Sequence, residues 1–147
     1  MLMPATVAHS QPHLLELPRL GETEIGFISA LDNAGQALPF RPERVFWTYE
    51  TPDLIVRGRH AHFRTEQVIV ALKGRIVVTT ETADGSLKAF RLEAPHVGLY
   101  VPPHVWRTMQ YSPGALQLVV ASTPYDEADY IRDYDQFRRA WGGAPGR

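Results

Sequence analysis

Short apolar segments separated by turn residues constrain the fold of this chain more than any other feature. In chain order they are HLLELPRL, EIGFISAL, ERVFWTYE, QVIVALKGRIVVTTET, SLKAFRLEA, VGLYVPP, VWRTMQY and ALQLVVAS. Gly21, the sequence DNAG, Thr51-Pro52-Asp53 and Ala83-Asp84-Gly85 provide turn signals between segments, and the longest segment is hinged near Lys73-Gly74. Many short strands with glycine and proline turns predict an antiparallel sandwich or barrel rather than a parallel sheet.

The periodicity changes after Thr123, where aromatic residues begin to recur at helical spacing. These aromatic residues are Tyr130, Tyr134, Phe137 and Trp141. Thr123 before Pro124, with Asp126 three residues after Thr123, is typical of the start of a helix. We therefore predict a short C-terminal helical tail whose aromatic stripe packs on the barrel.

The 147 residues predict one domain spanning 1–147, with an ordered core from about residue 13 to residue 141. There are no cysteines, which excludes disulfides, thiol catalysis and zinc–thiolate sites. With 15 Lys+Arg against 16 Asp+Glu, the charge favours neither nucleic acid nor an anionic membrane as a partner. We find no signal-peptide pattern and no apolar run near the roughly 20 residues of a membrane span, so a cytoplasmic protein is expected.

The stretch RGRHAHFRTEQ, from Arg57 to Gln67, carries the strongest chemical signal. His60 and His62 are two residues apart, so on a strand both side chains point to the same face. Inside a small barrel that face lines the ligand cavity. The spacing therefore fits a metal site or a proton-transfer site, and a purely structural role is the third interpretation.

A small barrel with a His-x-His pair resembles the cupin superfamily, whose metal-binding members add a carboxylate and a third histidine. Counting back from Gly74 places Gln67 in the carboxylate position, while Glu66 fits only with a shift of one residue. The segment PPHVWR aligns with the second cupin motif and places Arg107 at the third histidine. A guanidinium has no lone pair for a metal, and a glutamine oxygen replaces a carboxylate poorly. We therefore expect no metal at this site.

Proton transfer by histidine is the interpretation that the residues favour. A neutral imidazole near pH 7 can accept a proton and return it. Arg57, Arg59 and Arg64 surround the pair, and a planar guanidinium binds phosphate through two hydrogen bonds. Two histidines on one face beside several arginines also argue against a purely structural role. These residues predict a cavity for an anionic small molecule with a histidine acid or base.

Four motifs in the same order resemble the sugar 3,4-ketoisomerase family of cupins: RGRHAHFRTEQ, LKG, VGLYVPPHVW and YDEADYIRDYDQF. The resemblance implies an all-β fold, a small antiparallel barrel or jelly roll with the C-terminal helical tail. It also implies an isomerase that needs neither a metal nor a cofactor. Such enzymes move the ketone of thymidine-diphosphate 4-keto-6-deoxyglucose from carbon 4 to carbon 3 through an enediol, a step of deoxysugar biosynthesis for products such as O-antigens.

The resemblance assigns roles to individual residues. It implies that His60 and His62 transfer protons, and it favours His62 as the main base. It places Arg57 and Gln67 in the substrate cavity. Tyr49 is expected to form a polar wall of the same pocket, by an ungapped count from the preceding strand.

Two positions depart from the family pattern. Arg59 stands where a lysine or an apolar residue is more common, and Arg107 stands where a histidine is common. We expect Arg59 and Arg107 to belong to the substrate-binding set. Arg57, with at least one of Arg59, Arg64 and Arg107, is expected to bind the diphosphate or shape its pocket.

Three alternatives remain open from the sequence. A sugar-nucleotide epimerase would use the same deprotonation but return the proton to the same carbon. A non-catalytic sugar-binding cupin would need the cavity without the histidines, and a metal-dependent oxygenase would need the metal site.

The apolar segments HLLELPRL and EIGFISAL would leave sheet edges exposed, so a homodimer is expected. The resemblance adds that these N-terminal strands are exchanged between partners.

Overall fold

The computed structural model describes residues 11–32 and 38–141, and short strands dominate this part of the chain. The strands are β1 (His13–Glu16), β2 (Leu20–Glu22), β3 (Gly26–Ile28), β4 (Arg44–Tyr49), β5 (Val56–His62), β6 (Gln67–Lys73), β7 (Ile76–Glu81), β8 (Leu87–Leu92), β9 (Val97–Val101), β10 (Trp106–Tyr111), β11 (Leu116–Ala121) and β12 (Tyr130–Ile131). A 3₁₀ turn spans Glu127–Asp129, and helix α1 spans Tyr134–Trp141.

Two five-stranded antiparallel sheets face each other. We call the sheet ordered β1-β9-β6-β11-β4 the first sheet and the sheet ordered β12-β5-β10-β7-β8 the second sheet. Strands β2 and β3 form a separate two-stranded hairpin. The predicted all-β jelly roll with a short C-terminal helix is confirmed, although the two sheets do not close into one continuous barrel.

The main core lies between the two sheets and is apolar. Its buried residues are Ile69, Ala71, Ile76, Val78, Phe90, Leu92, Leu99, Val101, Val105, Met109, Ala115 and Val119. Burial of each large side chain contributes about 1.5–3 kcal/mol. A second cluster covers part of the outer face of the first sheet, where Leu17, Leu38 and Phe40 pack on Val68 and Val70. Strand β6 is therefore buried on both faces over most of its length.

The turns predicted between Lys73 and Leu87 are present. Strands β6 and β7 are joined through Gly74, whose φ of 75° is left-handed. The turn around residues 83–85 is closed by a hydrogen bond from Thr82 N–H to the Ser86 carbonyl, 3.0 Å long. The predicted DNAG turn lies mostly outside the described residues, as do both chain ends that precede residue 11 and follow residue 141.

The helix prediction for the tail was wrong about where the helix begins. Thr123 and Pro124 start no helix, and α1 begins at Tyr134, where the Asp133 carboxylate accepts from the amide of Asp135 at 2.8 Å. The intervening chain pairs with β5 as strand β12, so its backbone hydrogen bonds are satisfied by a distant strand instead of a helix. No helix in the described ranges is both long and apolar enough to cross a membrane.

The aromatic residues of the tail divide between two environments. Phe137 is fully buried and packs with Ala61 and Ile131, as the stripe predicted. Trp141 stacks on His104 with ring centroids 4.1 Å apart. Tyr130 instead turns towards the histidine pair, so it belongs to the pocket described next.

Candidate active site

A pocket of about 210 Å³ opens between the two sheets. Each sheet contributes about half of its wall, and the lining is mixed polar and apolar. The lining residues are Phe46, Thr48, Arg57, Gly58, His60, Gln67, Ile69, Met109, Tyr111, Gln117, Val119, Tyr130 and Arg132. Polar groups from several strands therefore converge on one cavity, as expected of a small-molecule site.

An irregularity in β5 determines which side chains reach this pocket. Gly58 has a φ of 87° and Arg59 has a φ of 56°, both left-handed. The register with β10 shifts here, because Arg107 pairs with His60 while Thr108 pairs with Gly58. A Cβ on Gly58 would lie 2.9 Å from the Arg107 carbonyl oxygen, so a larger residue would collide with the backbone of β10. The resulting bulge brings Arg57 and His60 to the same cavity although they are three residues apart.

The His60 ring is held in one tautomer by the bulge. Its Nδ1 lies 3.0 Å from the Gly58 carbonyl oxygen, which can only accept, so Nδ1 carries the proton. The lone pair of the neutral ring is therefore on Nε2. Burial, and next the positive charge of Arg107, lowers the His60 pKa to about 3. In this state His60 is a neutral ring at neutral pH, able to accept a proton.

His62 lies behind His60 and is completely buried. The two rings are nearly perpendicular, with centroids 4.9 Å apart. Nδ1 of His62 lies 3.0 Å from Oδ2 of Asp129, and its Nε2 has no hydrogen-bond partner among residues 11–32 and 38–141. Burial is the main cause that lowers the His62 pKa, and the charge of Arg107 lowers it further. The expected placement of both histidines on one face is confirmed.

Arg107 and Gln67, which the cupin motifs place at metal-ligand positions, form a hydrogen bond with each other. Arg107 is fully buried, and its Nη1 donates to Oε1 of Gln67 at 2.7 Å. Burial lowers the Arg107 pKa to about 10, which leaves the guanidinium charged at neutral pH. No three His, Asp or Glu residues in the described ranges form a metal-binding group. A cation with no lone pair beside two histidines does not fit a metal site.

Four residues predicted for the site are absent from the pocket lining, namely Tyr49, Arg59, His62 and Arg107, and the last two are fully buried. Tyr49 is on β4, where successive side chains alternate between faces, and its side chain lies on the outer face of the first sheet. Thr48 and Phe46 face the pocket instead, so the count that placed Tyr49 there was out by one residue. Arg59 is exposed at the bulge and is likewise not part of the lining, because its left-handed backbone turns it away.

The sequence interpretation missed three residues from the tail. Tyr130 lies against both histidines, with its ring centroid 4.4 Å from that of His62. Arg132 lines the pocket mouth and lies over the Tyr130 ring at 4.2 Å. Asp129 contacts His62 directly. All three belong to the motif YDEADYIRDYDQF, but treating that motif as a helix concealed their role.

Comparison with known proteins identifies the family. Residues 10–141 match the family model described as FdtA: WxcM-like, C-terminal. The chain belongs to this family. A curated relative, TDP-4-oxo-6-deoxy-alpha-D-glucose-3,4-oxoisomerase from Aneurinibacillus thermoaerophilus, is 42% identical over 104 residues, covering 69% of this chain and 73% of the relative.

Solved structures of similar proteins share the whole fold. The sugar 3,4-ketoisomerase QdtA from Thermoanaerobacterium thermosaccharolyticum, solved with TDP, has a TM-score of 0.83 and 32% identity, covering 88% of this chain and 93% of QdtA. A 3,4-ketoisomerase from Helicobacter canadensis has a TM-score of 0.84 and 33% identity, covering 92% and 100%. A dTDP-4-dehydrorhamnose 3,5-epimerase from Bacillus anthracis, 16% identical with a TM-score of 0.68, shares the fold alone.

Proposed function

We propose that this protein is a TDP-sugar 3,4-ketoisomerase that converts TDP-4-keto-6-deoxyglucose to the 3-keto isomer. The observation that supports this most is the pair of perpendicular histidines, both with Nδ1 engaged, at a pocket with arginines at its mouth. The curated relative is named a TDP-4-oxo-6-deoxy-alpha-D-glucose-3,4-oxoisomerase, and the QdtA structure is named a sugar 3,4-ketoisomerase. The 3,5-epimerase shares only the fold with this chain. Epimerisation starts with the same deprotonation, so it is the alternative that the test below distinguishes.

The reaction requires two proton transfers at neighbouring carbons. A base removes the hydrogen on carbon 3, which is acidified by the ketone at carbon 4, and an enediol forms. A proton then returns to carbon 4 while the oxygen on carbon 3 becomes the ketone. Both histidines are neutral and can supply Nε2 as the base. The family resemblance favours His62 as the base, whereas of the two histidines only His60 lines the pocket. We therefore propose that His60 contacts the sugar and that His62, packed against the His60 ring, takes part in the proton transfer.

Cationic groups at the pocket mouth suit the diphosphate of the substrate. Arg57 and Arg132 both line the pocket. Arg132 is held by Glu127, with Nε to Oε2 at 2.7 Å and Nη2 to Oε1 at 3.0 Å. We propose that Arg57 and Arg132 bind the diphosphate and that Arg107, buried behind His60, stabilises negative charge on the enediolate oxygen. This keeps Arg107 in the substrate site that the sequence predicted and replaces Arg59 by Arg132.

Binding of the anionic substrate also raises the basicity of both histidines. Burial and the nearby arginines disfavour the imidazolium of both rings. A diphosphate at the mouth and a developing enediolate bring negative charge near the rings, which favours the protonated form. The histidines therefore become stronger bases when the substrate is present. Remote binding energy from the nucleotide positions the reacting carbon at the same time.

Incubation with TDP-4-keto-6-deoxyglucose in heavy water tests the reaction, with the product followed by NMR. We expect a 3-keto product with deuterium at carbon 4. Exchange at carbon 3 with an inverted centre and an unmoved ketone would identify an epimerase. Binding of TDP without any exchange would identify a non-catalytic sugar-binding protein.

We further propose that the protein is a homodimer whose interface includes the outer face of the first sheet. Val45, Trp47, Tyr49 and Leu72 form an apolar patch there, each between 41% and 60% exposed. A groove of about 740 Å³ overlaps this patch, and Val45 and Leu72 line it together with Phe27 of the hairpin. Contiguous apolar patches of this kind mark association surfaces. The position of Tyr49 in this patch explains its exposure without a role in the pocket.

Exchange of N-terminal strands is testable because the chain has no native cysteine. Glu16 pairs with Val97 in the β1–β9 register of the single chain. We expect Glu16→Cys combined with Val97→Cys to give a covalent dimer on oxidation if the strands are exchanged. A cross-link confined to one chain would show that each β1 stays on its own β9. The single-cysteine variants serve as matched controls.

We propose that residues 1–147 behave as one domain. The pocket combines residues from Phe46 to Arg132 that lie on strands of both sheets, so the site needs the two sheets together. Limited proteolysis should leave one resistant core of about residues 13–141. Two resistant fragments that separate with independent unfolding transitions would contradict this.

A further inference from the structure

We propose that Asp129 is a positioning residue that holds His62 with its proton on Nδ1 and supports the charge that His62 gains when Nε2 takes a proton. This rests on the proposed function, since it concerns the same proton transfer. Asp129 does not contact the pocket, and it is 2% exposed. Its carboxylate lies 67 residues after His62 in the chain yet 3.0 Å from the His62 ring.

Several donors besides the His62 ring form hydrogen bonds with the Asp129 carboxylate. Backbone N–H groups of Arg64 and Thr65 donate to its two oxygens at 2.7 Å and 3.2 Å. The Thr65 hydroxyl also donates to Oδ2. A carboxylate surrounded by donors can only accept, so the remaining contact, with Nδ1 of His62, is an N–H donation from the ring. This assigns the lone pair of the neutral ring to Nε2.

A second hydroxyl extends this arrangement away from the ring. Oγ1 of Thr65 lies 2.7 Å from Oγ1 of Thr123. Since Thr65 has a single hydroxyl proton and directs it to Asp129, Thr123 must donate to Thr65. The hydrogen bonds from Thr123 to Thr65 and from Thr65 to Asp129 therefore favour the ionised carboxylate and hold it in place beside His62.

The charges around His62 show why this support is needed. Arg107, His60, Arg44 and Arg132 all oppose a positive charge on the ring. Nε2 is buried and has no hydrogen-bond partner in the described part of the chain, so it is the atom left to receive a proton. When it does, the ring becomes a cation with a proton on each nitrogen. Asp129 is the carboxylate in direct contact with that cation, and its charge offsets the surrounding arginines.

The first test measures the tautomer directly and needs no substrate. Histidine side chains of the full-length protein are labelled with ¹⁵N, and the His62 signals are assigned by comparison with His62→Asn. We expect the parent to show a protonated Nδ1 and an unprotonated Nε2 at neutral pH. A protonated Nε2, or a mixture of tautomers, would overturn the proposal. Because no turnover is involved, this result stands apart from any failure of the proposed activity.

The second test separates positioning from bracing of the fold. Asp129→Asn removes the charge, while Asp126→Asn alters a neighbouring carboxylate that pairs with Arg64 at 3.5 Å and makes no contact with His62. Thr65→Val removes one donor but keeps the Asp129 charge. We expect Asp129→Asn to lower kcat by about a hundredfold or more with TDP affinity near the parent value, and both controls to lose far less.

The result for Asp129→Asn is interpreted as follows. Parent-level kcat in Asp129→Asn would overturn the proposal. Equal losses of kcat and TDP affinity, or losses in Thr65→Val as large as those in Asp129→Asn, would assign Asp129 to structure alone. If Asp129→Asn does not fold, the tautomer of the parent remains the deciding measurement.

Discussion

The two faces of the first sheet differ sharply although they are built from the same strands. On β4, Phe46 and Thr48 face the pocket, while Val45, Trp47 and Tyr49 face outwards. At the pocket the inner face meets polar groups from the second sheet, and the outer face is apolar and only partly covered. Alternation along a strand lets one sheet serve chemistry on one side and association on the other. A shift of one residue exchanges the two roles, as the misplacement of Tyr49 shows.

The largest expected effect belongs to the inner pocket. Replacing His60 or His62 with asparagine should lower kcat by about a hundred- to ten-thousand-fold, because asparagine cannot act as a base. TDP affinity should stay near the parent value, and the loss should appear in kcat instead of KM. Turnover and carbon 3 exchange in heavy water measure this, with His104→Asn, outside the pocket, as the control. Parent-rate exchange in both single variants and the double variant would make the histidines structural.

The outer face should respond to Trp47→Glu with loss of the dimer. Removing a buried aromatic residue from an interface costs about 2–4 kcal/mol, and an unpaired carboxylate there adds to the cost. Light scattering at micromolar concentration should show a monomer. Leu87→Glu, at an exposed apolar residue of the second sheet, should leave the assembly unchanged. A parent protein that is monomeric and fully active would remove this half of the comparison.

At the pocket mouth, Arg57→Ala should weaken TDP binding. A hydrogen bond to a charged group contributes about 1.5–3 kcal/mol, which corresponds to about a tenfold to a hundredfold loss of affinity by calorimetry. Arg59→Ala, two residues away but turned outwards at the bulge, should bind TDP almost as the parent does. Unchanged affinity in both Arg57→Ala and Arg132→Ala would refute an arginine-lined diphosphate site.

Burial of His60 should also make the free energy of unfolding depend on pH. The folded His60 pKa of about 3 lies below the ordinary value of 6.5, so the unfolded chain takes up a proton first as the pH falls. Stability present above pH 6.5 is therefore lost between about pH 6.5 and pH 3, by up to about 1.4 kcal/mol per pH unit for this histidine. Denaturant unfolding at about pH 7 and pH 5 should show a smaller decrease for His60→Asn. An identical decrease in parent and variant would contradict the desolvated state of His60.

Removal of metal ions is expected to have no effect on turnover. Since the Arg107–Gln67 pair occupies the position of metal ligands, extensive chelation should leave turnover unchanged. Loss of activity on chelation, restored by adding one divalent metal, would show that the pocket binds a metal despite this pair. The His60→Asn variant is the baseline for residual activity.

The strands and the histidine pair could be predicted because their signals are local. Apolar alternation and turn residues set the strand positions, and the two-residue spacing set the common face of His60 and His62. The bulge was not predictable in the same way, because the left-handed φ of Arg59 depends on pairing with β10, although Gly58 offered a hint. The inclusion of Arg57 in the pocket therefore came from family resemblance and not from alternation.

The tail shows the opposite limit. Aromatic residues at spacings of three and four predict a helix, yet Tyr130 belongs to a strand that pairs with β5. Tertiary contacts decided its conformation, since Asp129 is bound by donors near residue 64. No local pattern shows that a carboxylate in a polar run will be buried against a histidine.

The distance along the chain between His62 and Asp129 has a consequence for the order of assembly. Chains are synthesised from the N-terminus, so both histidines and most of the two sheets are made before Asp129 exists. A nascent chain that stops short of β12 would already contain the His-x-His pair, but without the carboxylate that orients His62. Competence for catalysis is then acquired late in synthesis, after most of the hydrophobic core has become available.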